Sequence, residues 1–242
     1  MVQLTDDSLF DGRLICRQHR NGYRFSVDAV LISHFCKPPG SANVLDLGCG
    51  SGIISLILCY RYPQVSITGL ELQPSLARLA QKNSADNMFQ DRFAVLPGDL
   101  RIIQECLAPE SFDLVVSNPP YRRAGSGRIN REDECAIARH ELTADMASVI
   151  RAAAFAVKNR GSVACIYPAE RLAVLLARME KNRLVPKRLQ PVYSYPEDNR
   201  AGLVMVEAVK NGGQGLDLLP PLYIYEFSDG PYSSEMLMMY SG

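Results

Sequence analysis

The sequence lacks the features that identify several large classes of protein. No run of apolar residues is long enough to span a bilayer, and Met1–Asp7 lacks the basic and apolar regions of a secretory signal. The seven cysteines include no C-x-x-C pair, which argues against a zinc site and against a disulfide framework. We therefore expect a protein of the reducing cytoplasm that contacts no membrane and holds no metal.

A net charge is also missing, because the chain has 26 Lys plus Arg and 26 Asp plus Glu. It therefore lacks the bulk basic surface that nucleic-acid-binding proteins often show. Four arginines nevertheless cluster in one stretch: Arg122, Arg123, Arg128 and Arg131. They either contact the phosphates of an RNA or face water in a solvated loop, and their position beside the motif described below favours RNA.

The order of apolar segments predicts a single α/β domain. A chain of 242 residues is long enough for a self-sufficient core, and its 47% hydrophobic content is ordinary for a globular protein. Between Val44 and Val116, strand-like runs alternate with helical segments, which predicts a parallel sheet covered on both faces. The predicted helices are Ile53–Tyr60, Pro74–Asp86 and Leu100–Cys106, followed by Met146–Val157 and Glu170–Lys181.

This alternation stops near the end of the chain. Val185–Tyr195 and Leu203–Val209 both have the composition of strands, and only the turn formers Pro196–Asn199 are prominent between them. A parallel pair of strands needs a long crossover connection. The two segments are therefore predicted to pair antiparallel.

The most informative motif is the N-P-P-Y tetrapeptide that begins at Asn118, directly after the apolar run Phe112–Ser117. The run is typical of a buried parallel strand, and two prolines end it and fix the backbone. Asn118 is then presented at the carboxyl end of the strand, where open α/β sheets bind their ligands. Because an amide can hydrogen-bond to a planar amine and Tyr121 can stack on a ring, the motif predicts a flat, nitrogen-bearing substrate.

A second motif precedes it. The short apolar strand Val44–Leu47 leads into a glycine turn, Gly48-x-Gly50-x-Gly52, and then into a helix. Strand, glycine turn and helix form a nucleotide-binding unit, although this spacing differs from the G-x-G-x-x-G of dinucleotide enzymes. Asp46 lies just before the turn, where it either caps the turn or favours a cationic ligand over a pyrophosphate.

Two further acids follow the next predicted strands. Glu71 comes after Val65–Leu70 and is placed to accept two hydrogen bonds from a ribose diol, unless it is only a solvated strand end or cap. Asp99 comes after Phe93–Leu96 and Gly98. It either accepts from an adenine amine or caps a helix that begins at Leu100.

At these residues the chain resembles the S-adenosylmethionine-dependent methyltransferases of the Rossmann-like class. That resemblance implies a mostly parallel, seven-stranded sheet with a reversed last strand and helices on both faces. It also implies that the glycine turn holds the methionine part of S-adenosyl-L-methionine, that Glu71 holds the ribose, and that Asp99 holds the adenine.

A closer resemblance rests on three segments, which are Tyr23–Ile32, the N-P-P-Y motif, and Ala138–Glu141. Together they are similar to the bacterial tRNA adenine-N6 methyltransferases that act on the anticodon loop of tRNA1(Val), over roughly Arg13 to Val209. The resemblance implies tRNA as the partner and a cofactor contact for Asp28, although Ser26 or Asp28 could instead cap a helix. Arg139 and His140 are either part of a substrate element or structural.

The expected organisation has three parts. Residues 1–36 form an extension that caps the cofactor pocket, in which Leu14–Cys16 and Tyr23–Phe25 flank the hairpin signal Asn21-Gly22 before a helix at Val27–Cys36. Residues 37–210 form the methyltransferase domain. Residues 211–242 form a tail for which the sequence predicts no function, and the oligomeric state stays open between a monomer and a weak homodimer.

The predicted site residues fall into three groups. The catalytic residues are Asn118, Pro119 and Tyr121. The cofactor-binding residues are Asp28, Asp46, Gly48, Gly50, Gly52, Glu71, Asp99 and Asn118. The substrate-binding residues are Pro120, Tyr121, Arg122, Arg123, Arg139 and His140.

Three functions fit these residues. Methylation of adenine N6 in tRNA is favoured by the arginines after the motif. Methylation of a protein glutamine, as in the release-factor enzymes, uses the same tetrapeptide on an amide, and the neutral net charge leaves room for it. A module that binds cofactor without catalysis is disfavoured, because all four residues of the N-P-P-Y motif are present.

Overall fold

The structure, a computed structural model, describes residues 4–20, 26–119 and 146–241. The predicted turn Asn21-Gly22 lies outside these ranges, as do six of the predicted site residues: Pro120, Tyr121, Arg122, Arg123, Arg139 and His140.

The described N-terminal residues form an antiparallel hairpin, and the predicted partner of Leu14–Cys16, Tyr23–Phe25, lies outside the described residues. Strand β1 (Leu4–Leu9) pairs with β2 (Leu14–His19), and Leu9 lies opposite Leu14. The predicted strand Leu14–Cys16 is therefore part of β2, yet its described partner is the earlier β1. β1 is largely exposed and polar, so it lacks the apolar alternation by which a strand is usually found in a sequence.

The first half of the domain alternates strands and helices as predicted. In chain order it contains α1 (Val27–Phe35), β3 (Asn43–Leu47), α2 (Ile53–Arg61), β4 (Ser66–Glu71), α3 (Pro74–Asp86), β5 (Phe93–Pro97), a 3₁₀ helix (Leu100–Glu105) and β6 (Phe112–Ser117). Strands β3 to β6 are joined in parallel. Their carboxyl ends therefore meet at one edge of the sheet.

The second half completes and reverses the sheet. It contains α4 (Met146–Ala156), β7 (Val157–Pro168), a 3₁₀ turn (Ala169–Arg171), α5 (Leu172–Lys181), β8 (Leu184–Tyr193), β9 (Leu203–Lys210), β10 (Asp217–Leu218), β11 (Leu222–Tyr223) and α6 (Ser234–Ser241). The strand order is β10-β8-β9-β7-β6-β3-β4-β5, with β11 also paired to β8. β9 runs antiparallel to both β7 and β8, which confirms the predicted reversal.

The predicted fold class is confirmed, and the sheet is larger than the seven strands expected. The two additional strands, β10 and β11, have two residues each and pair in parallel with β8. Segments this short carry no detectable hydrophobic period. The residues after 210 thus extend the same sheet.

Each central strand is buried on both faces. In β3, Val44 packs with the layer formed by α1 and α2, whereas Leu45 packs with the layer formed by α4 and α5. In β6, Val116 and Val115 divide in the same way. No helix in the described part of the chain is both long and apolar enough to cross a bilayer.

Arg188 on β8 bonds both to the end of α1 and to the antiparallel strand β9. Its guanidinium donates to the Phe35 carbonyl at 2.7 Å and to the Glu207 carboxylate at 2.7 Å, and it lies 4.4 Å from the centre of the Phe35 ring. Both side chains of the ion pair are only 16% exposed. The pair therefore connects β8, β9 and the end of the helix that carries Asp28.

We predict that Arg188→Ala lowers the free energy of unfolding by about 2–4 kcal/mol, because Glu207 is left largely buried without its partner. Urea denaturation measures this change. The double variant Arg188→Ala/Glu207→Ala should lose clearly less than the sum of the two single variants. Lys158→Ala is the control, since it removes a pair of equal length (2.7 Å) with Asp113 that is far more exposed, and we expect a loss below about 1 kcal/mol. Equal losses for the two pairs would contradict the prediction.

Candidate functional site

The glycine turn after β3 has a left-handed backbone at each of its glycines. The φ angles are +74° at Gly48, +57° at Gly50 and +87° at Gly52, values that residues with a side chain rarely adopt. A methyl group added at Gly48 or Gly50 would meet no atom within 4 Å. The turn thus presents bare backbone to an open space at the carboxyl edge of the sheet.

This turn is tied to the end of β4. The backbone N–H groups of Gly48 and Cys49 both donate to the Leu70 carbonyl, at 2.8 and 3.1 Å. The Gly50 N–H donates to the Glu71 carboxylate at 2.9 Å. Three consecutive residues of the turn are therefore held by two residues of the neighbouring strand.

Glu71 is a buried acid with structural partners on both carboxylate oxygens. It is 6% exposed, and its second oxygen accepts from the Gln73 N–H at 2.8 Å. Burial raises the pKa of Glu71, while the N–H donors of Gln73 and Gly50 oppose the shift. The capping interpretation is thus observed. Each carboxylate oxygen has a further lone pair, so the ribose contact stays a compatible prediction.

Asp46 lies beneath the turn on the side of α2. It is fully buried and accepts a hydrogen bond from the Ser55 hydroxyl at 2.7 Å, while its other oxygen has no hydrogen-bond partner among the described residues. Burial, and secondarily the charge of Glu71, raise the pKa of Asp46 to about 7. Asp46 therefore partners α2 and does not cap the turn, and its predicted contact with a cationic ligand stays a prediction.

Asp99 has the capping role that the sequence left open. It accepts from the Arg101 N–H at 2.9 Å at the start of the 3₁₀ helix, and its carboxylate also binds the Arg101 guanidinium at 2.5 Å. This bonding to Arg101 lowers the pKa of Asp99. The Gly98 N–H donates to the Glu71 backbone carbonyl at 2.9 Å, which brings Asp99 to the same edge as Glu71. An adenine contact at Asp99 stays a prediction.

The start of α1 lies outside this set of direct contacts. Ser26 occupies the position before the helix, but its side chain makes no capping hydrogen bond, so capping by Ser26 is wrong, whereas capping by Asp28 stays a prediction. Asp28 lies in the first turn of α1. Burial and then Tyr232 raise the pKa of Tyr240 in α6, and the charge of Asp28 makes the smallest contribution in the same direction. The predicted cofactor contact of Asp28 is not tested by these interactions.

Asn118 and Pro119 follow β6 at the same edge. The Ser117 hydroxyl donates to the Leu47 carbonyl at 2.9 Å, joining the ends of β6 and β3. Neighbouring strands lie about 5 Å apart, so Asn118 leaves the sheet beside Gly48. Pro119 is buried. The structure thus brings the first half of the N-P-P-Y motif together with the glycine turn and Glu71.

Sequence reasoning missed two hydroxyl groups of this edge, Ser55 and Ser117. Ser55 is fully buried within the apolar run of α2, and Ser117 is 2% exposed at the end of β6. A serine in an otherwise apolar helix or strand must find a hydrogen-bond partner. This rule could have predicted that both serines make a buried hydrogen bond.

A surface cleft of about 420 Å³ lies at the end of β7. Its lining residues are Pro168, Ala169, Glu170, Arg200, Ala201 and Gly202. These residues follow β7 and precede β9, and β7 is the strand that neighbours β6. The cleft therefore opens at the same edge of the sheet as Asn118 and Pro119.

We predict that Asp46→Asn removes part of the pH dependence of stability. The folded-state pKa of about 7 lies above the ordinary value of 3.8, so the folded state binds the proton more tightly than the unfolded state. The favourable contribution is complete below about pH 4 and is lost as the pH rises to 7. Between pH 5 and 8, the wild type should lose about 2–3 kcal/mol more than Asp46→Asn in urea denaturation.

Asp99→Asn is the control for this measurement. Arg101 lowers the pKa of Asp99, so the stabilisation from this acid is present above its ordinary pKa and is lost on acidification. At pH 8, Asp99→Asn should therefore be no more stable than the wild type. If the stability of the wild type and of Asp46→Asn changed identically with pH, the raised pKa of Asp46 would be contradicted.

Comparison with proteins of known structure shows the fold. A predicted O-methyltransferase from Agrobacterium tumefaciens is 21% identical, with a TM-score of 0.71 over 88% of this chain and 95% of that one. A geranyl diphosphate C-methyltransferase from Streptomyces coelicolor A3(2) is 12% identical, with a TM-score of 0.53 over 76% of this chain and 75% of that one. At these identities the likeness concerns the arrangement of strands and helices.

Comparison of sequences shows the family. The pattern of the methyltransferase small domain matches residues 26–144. A tRNA1(Val) (adenine(37)-N6)-methyltransferase from Porphyromonas gingivalis is 34% identical over 179 residues, which is 72% of this chain and 69% of that protein. The predicted resemblance is thus confirmed, and the chain belongs to the family of tRNA1(Val) (adenine(37)-N6)-methyltransferases.

Proposed function

We propose that the protein transfers a methyl group from S-adenosylmethionine to the exocyclic N6 amine of an adenine in tRNA. The observation that carries the proposal is the position of Asn118 and Pro119, which leave β6 beside a glycine turn fixed to Glu71. By analogy with the named relative, the target is adenine 37 of a tRNA.

The open edge of the sheet suits the cofactor chemically. S-adenosylmethionine supplies an electrophilic methyl group on a positively charged sulfonium. The left-handed turn would receive its methionine part, and Asp46, Asp28 and Asn118 would surround it. Glu71 would hold the ribose hydroxyls through lone pairs that Gly50 and Gln73 leave unused, and Asp99 would meet the adenine.

The proposed chemistry depends mainly on orientation. The lone pair of the adenine amine is delocalised into the ring, which makes the nitrogen a poor nucleophile. The Asn118 side-chain oxygen and the Pro119 carbonyl accept the two amine protons, turn the lone pair toward the methyl group and stabilise the positive charge that develops on nitrogen. The nitrogen–carbon bond forms as the carbon–sulfur bond breaks, and the methylated aminium then loses one proton to water.

The tRNA would approach from the same edge of the sheet. Tyr121 stacks on the target base, which leaves its own stack to enter the site. Pro120 would contact the base, and Arg122, Arg123, Arg139 and His140 would contact the RNA. The cleft beyond β7 adds Arg200 to this surface. These contacts follow from position along the chain and from the chemistry of each side chain.

The compartment and the division of the chain belong to the same proposal. All six cysteines in the described ranges are free thiols, which suits the reducing cytoplasm. Residues 1–36 form the extension at the cofactor pocket, 37–210 the catalytic domain, and 211–242 a tail that adds two short strands to the sheet of that domain.

The first experiment distinguishes tRNA from protein as the methyl acceptor. The protein is incubated with labelled S-adenosylmethionine and either unmodified tRNA or a protein extract, and the digested tRNA is analysed by nucleoside mass. We expect the label in the tRNA as N6-methyladenosine. Label in protein glutamine would favour the release-factor type of activity, and cofactor binding without transfer to either acceptor would favour a binding module.

We predict that Asn118→Ala lowers kcat by about 10²–10³-fold, because one of the two acceptors of the amine protons is lost. Calorimetric titration should show that the variant still binds S-adenosylhomocysteine, with an affinity that falls much less than kcat. Ser117→Ala is the matched control, since its hydroxyl bonds to the Leu47 carbonyl and not to the substrate, and its kcat should change by less than about tenfold. Undiminished turnover in Asn118→Ala would exclude the proposed mechanism.

A further inference from the structure

Two asparagines, Asn83 on helix α3 and Asn87 directly after its last residue, face the N-terminal hairpin. The side-chain amide of Asn87 accepts from the Ile15 N–H at 2.9 Å and donates to the Ile15 carbonyl at 2.7 Å. The amide of Asn83 accepts from the Arg17 N–H at 3.0 Å and donates to the Arg17 carbonyl at 3.0 Å. Each amide therefore bonds to β2 as the backbone of another strand would.

The spacing of the two segments explains this match. Positions 83 and 87 are one turn apart on the helix, which is about 6 Å along its axis. Ile15 and Arg17 are two residues apart on β2, which is about 7 Å. Alternate residues of a strand expose their N–H and C=O on the same side. The two asparagines thus hydrogen-bond to backbone groups on the edge of β2 that β1 does not cover.

Asn83 differs from Asn87 in one additional bond. Its amide nitrogen also donates to the Ser51 carbonyl at 2.9 Å, and Ser51 lies within the glycine turn, between Gly50 and Gly52. The additional hydrogen bond of Asn87 goes instead to the Asn83 carbonyl of its own helix. Asn83 is fully buried, so its two amide hydrogens are divided between the hairpin and the turn.

A second contact supports the same connection. The Cys16 thiol lies 3.6 Å from the Ser51 hydroxyl and 3.7 Å from the Asn83 amide nitrogen, and all three residues are buried. The hairpin is therefore linked to the glycine turn in two ways. The Cys16 thiol lies against Ser51, and the Asn83 amide bonds to both Arg17 and Ser51. Glu71 fixes the preceding residue, Gly50, from the other side.

We infer that Asn83 is a positioning residue that couples docking of the N-terminal hairpin to the cofactor-binding conformation of the glycine turn. The inference rests on the proposed use of this turn to hold S-adenosylmethionine. When the Asn83 amide is absent, the Ser51 carbonyl loses its donor and the turn samples other conformations, which the cofactor must then reorder at a cost in affinity. The coupling is reciprocal, so a bound cofactor strengthens the docking of the hairpin.

The test compares Asn83→Ala with Asn87→Ala in the full chain. Both variants remove an amide that bonds to β2, and both should lower the free energy of unfolding, whereas only the first removes the bond to the turn. We expect the Kd for S-adenosylhomocysteine, measured by calorimetric titration, to rise about tenfold in Asn83→Ala and less than about twofold in Asn87→Ala. At saturating cofactor, kcat should stay within about twofold of wild type in both. Equal changes in Kd for the two variants would overturn the inference.

Hydrogen exchange of the wild-type protein tests the same coupling without a substitution. Addition of S-adenosylhomocysteine should slow the exchange of the Arg17 amide, which donates to Asn83. An unchanged exchange rate for Arg17 when the cofactor site is saturated would refute the coupling, even if Asn83→Ala fails to fold. Failure of the wild type to bind S-adenosylhomocysteine would instead contradict the proposed function itself.

Discussion

A buried carboxylate determines the geometry of the candidate site. Glu71 accepts the N–H of Gly50 on one oxygen and that of Gln73 on the other, and the adjacent Leu70 carbonyl accepts two more N–H groups of the glycine turn. A turn with three left-handed glycines has many alternative conformations in the unfolded chain. These hydrogen bonds select one of them, and they make the shape of the turn depend on where β4 ends.

The same arrangement places two acidic side chains beneath the turn. Asp46 and Glu71 lie on neighbouring strands, and burial raises the pKa of both carboxyl groups. A cation at the open face of the turn would favour their ionised forms and lower both pKa values. This electrostatic preference suits a sulfonium donor better than a pyrophosphate. It arises in a protein whose total charge is zero, because the acids are placed locally.

The sequence predicted the elements whose signals are local. Helix α3 begins at Pro74 and ends at Asp86 as predicted, because proline suits the first turn of a helix. The G-x-G-x-G spacing and the two prolines after Asn118 are also local signals, and they predicted where the strands end at the edge of the sheet. The role of Asp99 stayed open between cap and ligand, because both require an acid after a strand, and only the structure showed that Arg101, two positions further on, is its partner.

The residues that escaped prediction act between distant segments. Asn83 lies in a polar part of α3, where an amide in the sequence looks like a solvated surface residue, and its partners are 66 and 32 positions away. An uncovered strand edge invites pairing with other chains, so β2 needs a cover whatever its role in binding. Asn87 provides such a cover without reaching the turn. Covering the edge of β2 does not require the hydrogen bond from Asn83 to Ser51. We therefore attribute to this bond a role in fixing the shape of the glycine turn.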